Sequence, residues 1–285
     1  MPDVSTKLGV LDFGRELLDA RDLDPVYTVL YHSSLEGWDL KKFLLAYWCY
    51  YDLGTCCRIL EAESYWEAML EAGGTKEYAR GRERRHFRGR NAMASLEYLR
   101  GQGLNRLFKS LCVPAQDLPA VLKTVKAWVG FGPWIAFKVA DMINALGLSR
   151  VAFDETALAL FDTPRQGAHM AWELHGLGEE PESVEAWAVE YVTEGLGGAV
   201  AASDPFARFP SLPLAPPAYT EPLGAQEAET VLCKWKAYRS GRYHVGEDVE
   251  ACRRALERAP KGLLRLDLIG AGEEGKLWRP GDVEL

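Results

Sequence analysis

Three groups of residues in this chain have the types and spacing that chemistry requires. The first is Asp154, in the run VAFDETA. A carboxylate just ahead of a helical pattern is the usual N-cap, worth about 1 kcal/mol, and the same group can move a proton; the two roles are compatible. The second is ARGRERRHFRGR, where Arg82, Arg84, Arg85, His86 and Arg88 lie between Gly81 and Gly89. Guanidiniums present paired donors to phosphate oxygens. The run lacks the alternating acids that would supply i,i+4 partners on a routine helix face, so it reads as a polyphosphate or DNA contact, with a merely solvated basic surface as the bland alternative. The third is AWVGFGPWIAFKVADMINALGL. It predicts the end of one helix, a tight turn on Gly130, Gly132 and Pro133, and a second helix. Uncoupled N–H groups at such a helix start suit a phosphate oxygen, which makes Gly130 and Gly132 candidates for contact with a nucleic-acid backbone.

These groups need a scaffold, and the patterning predicts a helical one. Leu8, Leu11, Leu17 and Leu18 form an apolar stripe, Asp24-Pro25 is a cap followed by a first-turn proline, and Asp39 starts a long helix through about Glu61. That helix carries Tyr47, Trp48, Tyr50 and Tyr51. So many rings mean core rather than a stacking surface, yet Tyr50 and Tyr51 are neighbours and cannot both face inward. Ser64 with Glu67 predicts a capping box, and Gly73-Gly74 a helix end. Trp172, Trp187 and Tyr191 mark another helical run. Pro205, Pro210, Pro213, Pro216, Pro217 and Pro222 exclude regular helix and predict a strap. Beyond it, one helix sets Lys234 and Lys236 around Trp235 and ends at Gly241; another begins after Gly246 with Glu247 and Asp248 at its positive end. The expected organisation is a helical domain over 1–202 with the hairpin at 127–146, a Pro-rich strap at 203–224, and a C-terminal helical extension over 225–285 that packs on the main domain.

A formal net charge of -8 argues against DNA binding until its distribution is considered. From Lys76 to Lys109 the bases Lys76, Arg80, Arg82, Arg84, Arg85, Arg88, Arg90, Arg100, Arg106 and Lys109 face only Glu77, Glu83 and Glu97. From Glu173 to Glu229 many acids face the single base Arg208. A local basic face is what a nucleic-acid footprint requires. The six cysteines are scattered, with no chelating spacing and no iron–sulfur cluster pattern, and are expected to be reduced thiols. His169 and His175 are spaced wrongly for one helical face, so no metal site is expected. No apolar run approaches the roughly 20 residues that span a bilayer, and no signal peptide is evident. The expected location is the cytoplasm, with no membrane partner.

GFGPWIAFKVA followed by VAFDETA resembles the hairpin and downstream aspartate of the helix-hairpin-helix DNA glycosylases. The resemblance implies an all-α, glycosylase-like helical fold with Asp154 as the active-site carboxylate. The Schiff-base lysine position of the lyase-type enzymes falls on Trp134; Lys138, one turn beyond, does not fill it. Further along, ETVLCKWKAYRSGRYHVGEDV is similar to the C-terminal motif of the amino acid:DNA transferases, also called alpha-glutamyl/putrescinyl thymine pyrophosphorylases, which are bacteriophage proteins related to those glycosylases. With the aromatic helix, the arginine run and the Asp154 segment, this resemblance covers most of residues 40 to 250.

It implies a reaction on double-stranded DNA in which an amine, such as a glycine-like free amino acid, displaces pyrophosphate from the 5-methylene of pyrophosphorylated 5-hydroxymethyluracil. For a phage protein the location is the host cytoplasm. Arg82, Arg84, Arg85, His86 and Arg88, with Lys138 or Lys234, would meet the pyrophosphate; Arg88 or Lys236 would meet the amino acid's carboxylate; Tyr50 or Trp134 would stack on the base. No cofactor is implied, and Mg²⁺ would enter only with the pyrophosphate. Two other readings stay open at this point: a monofunctional helix-hairpin-helix glycosylase with Asp154 assisting water, and a non-catalytic DNA-binding helical module.

Overall fold

The helical periodicity is realised along nearly all of the chain that the computed structural model describes, residues 7–31, 33–176, 178–203, 223–260, 264, 271–272 and 276–277. The helices are α1 (Val10–Asp19), α2 (Pro25–Tyr31), α3 (Gly37–Tyr50), α4 (Leu53–Glu61), α5 (Tyr65–Gly74), α6 (Gly89–Gln102), α7 (Leu104–Leu111), α8 (Leu118–Lys126), α9 (Pro133–Ala145), α10 (Thr156–Ala159), α11 (Asp162–His175), α12 (Val184–Ser203), α13 (Ala225–Arg239) and α14 (Glu247–Glu257). Two pairs of very short strands accompany them: β1 (Ala115–Asp117) beside β2 (Arg150–Ala152), and β3 (Ala271–Gly272) antiparallel to β4 (Lys276–Leu277). Of the expected strap, residues 204–222 lie outside the described residues, as does most of 261–285. No described helix is long and apolar enough to cross a membrane.

Two local expectations are corrected. The long helix from Asp39 to Glu61 is broken in two, because Tyr51 takes a left-handed backbone (φ 53°, ψ 37°) and Asp52 then caps a new helix, its carboxylate accepting from the Thr55 N–H at 2.8 Å. Ser64 does stand at the N-cap of α5 but its side chain makes no capping bond, and Glu67 pairs with Arg100 at 3.1 Å instead of reaching back. A tertiary partner has outcompeted the local box.

The described residues group into two compact units. One draws on 1–25, 152–249 and 270–285, the other on 26–151 and 250–269. In the first, α13 is an interior helix: Trp235 is fully buried and its indole N–H donates to the Leu8 carbonyl at 3.1 Å. Gly167 lets α11 meet α13 backbone to backbone, since a Cβ there would come 2.5 Å from the Leu232 carbonyl oxygen.

The second unit is built around α9, which buries Ile135, Ala136, Phe137, Val139, Ala140, Met142 and Ile143. A helix buried on nearly every face, with its one charged pair, Lys138 and Asp141, satisfied internally, belongs inside a core. Trp48 of α3 stacks on Phe108 of α7 (centroids 5.3 Å apart) and donates to the Met142 sulfur at 3.3 Å, locking α3, α7 and α9 together.

This unit also encloses Tyr47, Tyr50, Cys49 and Cys57. Burial raises the pKa of each above its ordinary value, to about 12 for both thiols. Acids whose folded pKa is raised contribute stability that is whole below the unfolded values, 9.0 for Cys and 10.0 for Tyr, and lost as pH climbs through the folded ones. The denaturation midpoint is therefore expected to fall steadily above about pH 9, with tyrosinate absorbance appearing together with loss of helical circular dichroism. Tyrosinate absorbance that develops fully while the helices persist would contradict it.

Candidate functional site

The connection between α8 and α9 is a six-residue turn in which Gly130 takes a positive φ of 80° and Gly132 precedes Pro133 at the helix start. Along its length α9 is buried, yet Gly132 and Pro133 are exposed. The part of this helix open to solvent is thus its positive end. No side chain caps it, so the N–H groups of the exposed Gly132 and half-buried Trp134, which an α-helix leaves without internal partners, stand ready for an acceptor. The turn is held from beneath: the Ser95 hydroxyl donates to the Val129 carbonyl at 2.5 Å, and Arg84 donates to the Gly130 carbonyl at 3.2 Å.

That second contact shows how the arginine segment is divided. Arg80 and Arg84 turn inward and cap helix C-termini, where carbonyls lack partners and a cation is favoured. Arg80 donates to Ala72 and to Thr75 (3.3 Å) at the end of α5, and to Phe87 at 2.7 Å. Arg84 donates to Cys49 at 3.0 Å, in the last turn of α3. Its guanidinium lies 4.4 Å from the Phe87 ring centre and 5.0 Å from that of Phe131, and burial pulls its pKa below the usual value. Arg84 therefore differs from the exposed phosphate contact expected of it. Arg82, Arg85, His86 and Arg88 are exposed. Within this set, Arg85 donates to the Arg82 carbonyl at 3.0 Å and Arg88 to the Arg85 carbonyl at 2.7 Å, which partly fixes these two side chains before any ligand arrives.

Of the lysines, Lys138 is enclosed in α9, paired with Asp141 at 3.1 Å, and the Tyr27 hydroxyl donates to the same carboxylate at 2.5 Å. Lys234 is also enclosed. It donates to the Asp22 carbonyl and pairs with Asp248 at 2.6 Å. Burial works against its charge, but Asp248, Asp22 and Asp24 outweigh that and hold the ammonium above its ordinary pKa. Both lysines thus hold the fold together instead of lining an open surface; Lys236 is half-buried.

The ring expected to stack on a base also shifts. Tyr50 has no exposed face: its ring packs edge-on against Phe87 at 5.7 Å and its hydroxyl donates to the Met69 carbonyl. Its neighbour Tyr51 is half-buried, 5.0 Å from the half-buried Trp134 in an edge-on pair beside the start of α9. Adjacency in the sequence required one of the two tyrosines to face outward; the left-handed turn at Tyr51 decided which. Ser95, by contrast, gave no local signal of its role.

Asp154 is exposed and follows β2 by two residues. One carboxylate oxygen accepts both the N–H of Thr156 (3.0 Å) and its hydroxyl, an Asx-type cap on the α10 turn. The other oxygen has no partner among the described residues. Capping thus occupies half of the group and orients the rest. No cluster of three or more His, Cys, Asp or Glu suited to a metal ion occurs among the described residues.

The amino acid:DNA transferase family model matches residues 19–244. The chain belongs to that family. It is similar to a glycinyltransferase of Pseudomonas phage PaMx11, 35% identical over 273 residues that cover 87% of this chain and 90% of that protein. It is also similar to a putrescinyltransferase of Delftia phage PhiW-14, 25% identical over 252 residues, 84% of this chain and 75% of the relative. As an amino acid:DNA transferase the protein is a DNA-modifying enzyme, and the matched span contains the arginine segment, the α8–α9 turn, Asp154 and Lys234.

Proposed function

We propose that this transferase attaches a glycine-like amino acid to the 5-methylene of pyrophosphorylated 5-hydroxymethyluracil in double-stranded DNA. The amine nitrogen forms a bond to the methylene carbon, the carbon–oxygen bond to pyrophosphate breaks, and the electron pair leaves with the diphosphate. The proton shed by the nitrogen passes to the unanchored oxygen of Asp154. Arg82, Arg85 and Arg88 meet the charge that develops on the leaving group, with His86 beside them. The α8–α9 pair acts as a glycosylase-like helix-hairpin-helix whose N–H groups at Gly130, Gly132 and Trp134 receive DNA phosphate oxygens. A base withdrawn from the stack would rest on Trp134 and Tyr51.

The observation that carries this reading is that the exposed arginines and the open end of α9 belong to loops packed directly on one another, through Arg84 and Phe87 against Gly130 and Phe131. The similarity to a phage glycinyltransferase favours an amino acid as donor. The deciding experiment is nucleoside mass spectrometry after incubation with pyrophosphorylated hydroxymethyluracil DNA and glycine. A glycine-bearing thymidine, formed with one pyrophosphate released per product, is expected. Free base with abasic sites, or binding without turnover, would replace this reading with a glycosylase or a binding module.

The arginines make a separate prediction. Replacing Arg82, Arg85 or Arg88 by Ala is expected to flatten the dependence of log K on log salt by about 0.9 for each phosphate that is no longer neutralised. A titration series across salt concentrations reads this directly, and slopes equal to wild type in all three variants would remove the segment from the DNA interface.

A further inference from the structure

We infer that Arg84 is a positioning residue that presets the α8–α9 turn for DNA without touching the DNA itself. This rests on the proposed contact between that turn and the phosphate backbone. The guanidinium is about nine-tenths buried and bridges two carbonyls from distant parts of the unit, Cys49 at the end of α3 and Gly130 in the turn. Two aromatic rings, Phe87 and Phe131, flank it. Among the described residues no carboxylate pairs with it, and its second terminal nitrogen is buried without a hydrogen-bond partner.

A buried cation without a counter-ion is costly, and an apolar side chain of similar volume would fill the space more cheaply. What only the fork can do is hold both carbonyls at fixed separation. The geometry of the turn explains the use. In a trans peptide the C=O and the following N–H point to opposite sides. With the Val129 carbonyl drawn inward by Ser95, the Gly130 N–H is turned away from the core. With the Gly130 carbonyl drawn inward by Arg84, the next peptide is fixed too, its N–H returning to Trp128 at 3.1 Å. Gly130 can accept this only because its φ is 80°. The same side chain ties the turn to the loop that bears Arg82, Arg85 and Arg88, so one residue sets the spacing between the two phosphate-facing groups.

The test compares Arg84→Lys, Arg84→Met and Arg84→Ala with Val129→Glu, which puts a negative charge on an exposed position of the turn (44% accessible). Arg84→Lys keeps the charge but loses the fork. It is expected to weaken DNA binding about tenfold, the scale of one lost charge-assisted hydrogen bond, with KM for DNA raised and KM for the amine unchanged. The salt slope is expected to stay at its wild-type value, since the same phosphates are still neutralised. Guanidinium ion added to Arg84→Ala, at ionic strength matched with sodium chloride, is expected to restore binding by refilling the site. Arg84→Met, which keeps volume without charge, should fold, bind as poorly as the lysine variant and keep the wild-type salt slope.

If Val129→Glu weakens binding while Arg84→Lys binds as wild type, the inference falls and the hairpin contact stands. A reduced salt slope in the uncharged Arg84→Met would mean direct phosphate contact and would also overturn it. If Val129→Glu has no effect, the hairpin reading fails and the inference with it.

Discussion

Asp154→Asn is expected to lower the transfer rate by about two to four orders of magnitude, the range typical of removing a positioned proton acceptor. The variant isolates charge from structure. Asparagine caps helices as well as aspartate does, and its carbonyl oxygen can accept the Thr156 N–H and hydroxyl that the native carboxylate holds now. The α10 turn should therefore survive, and helical circular dichroism and DNA affinity should remain near wild type while product disappears. Asp154→Ala adds the missing half of the comparison, because it removes the cap as well and should cost about 1 kcal/mol of stability in addition to the activity. Full activity in the asparagine variant would mean that Asp154 only caps, and would take it out of the mechanism. Because the group is exposed, a partial loss rescued by added small carboxylates is a further expected signature of proton transfer.

The second large effect is on stability. Asp22 is fully buried and accepts from the N–H groups of Gly246 (2.6 Å), Asp248 (3.1 Å) and Val249 (3.0 Å), and from the Tyr243 hydroxyl. It thereby caps the start of α14 from a position more than two hundred residues away in sequence, with |i−j| of 224 to Gly246. Asp22→Ala would leave these donors buried without an acceptor and remove a neighbour of Lys234, so a loss of about 3–5 kcal/mol is expected.

Asp22→Asn should cost less. Burial is the largest influence on Asp22 and raises its pKa against the opposing pull of Lys234 and Tyr243; asparagine escapes that charge penalty and its amide oxygen still accepts the Asp248 and Val249 N–H groups, but its NH2 faces the Gly246 N–H and cannot accept from it. Denaturant midpoints for the two variants measure the difference. An alanine variant as stable as wild type would show that this network contributes nothing net.

Much of the scaffold was legible in the sequence. Asp24-Pro25 marked the start of α2, Gly130, Gly132 and Pro133 the turn before α9, and Gly241 with Gly246 the gap between α13 and α14. These signals are local: a fixed proline φ, a glycine with positive φ, and a polar cap act within a few residues and survive any tertiary setting. The errors had a common origin. Glu67 left its local partner Ser64 for Arg100, and Tyr51 broke a helix that periodicity alone would have continued. In each, the surrounding unit outweighed a preference worth at most about 1–2 kcal/mol.

The arginine segment shows the same boundary most plainly. Composition determined that residues 76–109 are basic and that 173–229 are acidic, and the order of motifs determined the family. Which guanidiniums and ammoniums reach solvent was decided by tertiary structure: Arg84 by the Gly130 carbonyl, with |i−j| of 46, and Lys234 by the Asp22 carbonyl, with |i−j| of 212. Charge adds along a sequence whatever its neighbours do, so its distribution can be read residue by residue. The partner of a buried cation cannot, because desolvation and hydrogen bonding depend on groups that only the folded chain brings within about 3 Å.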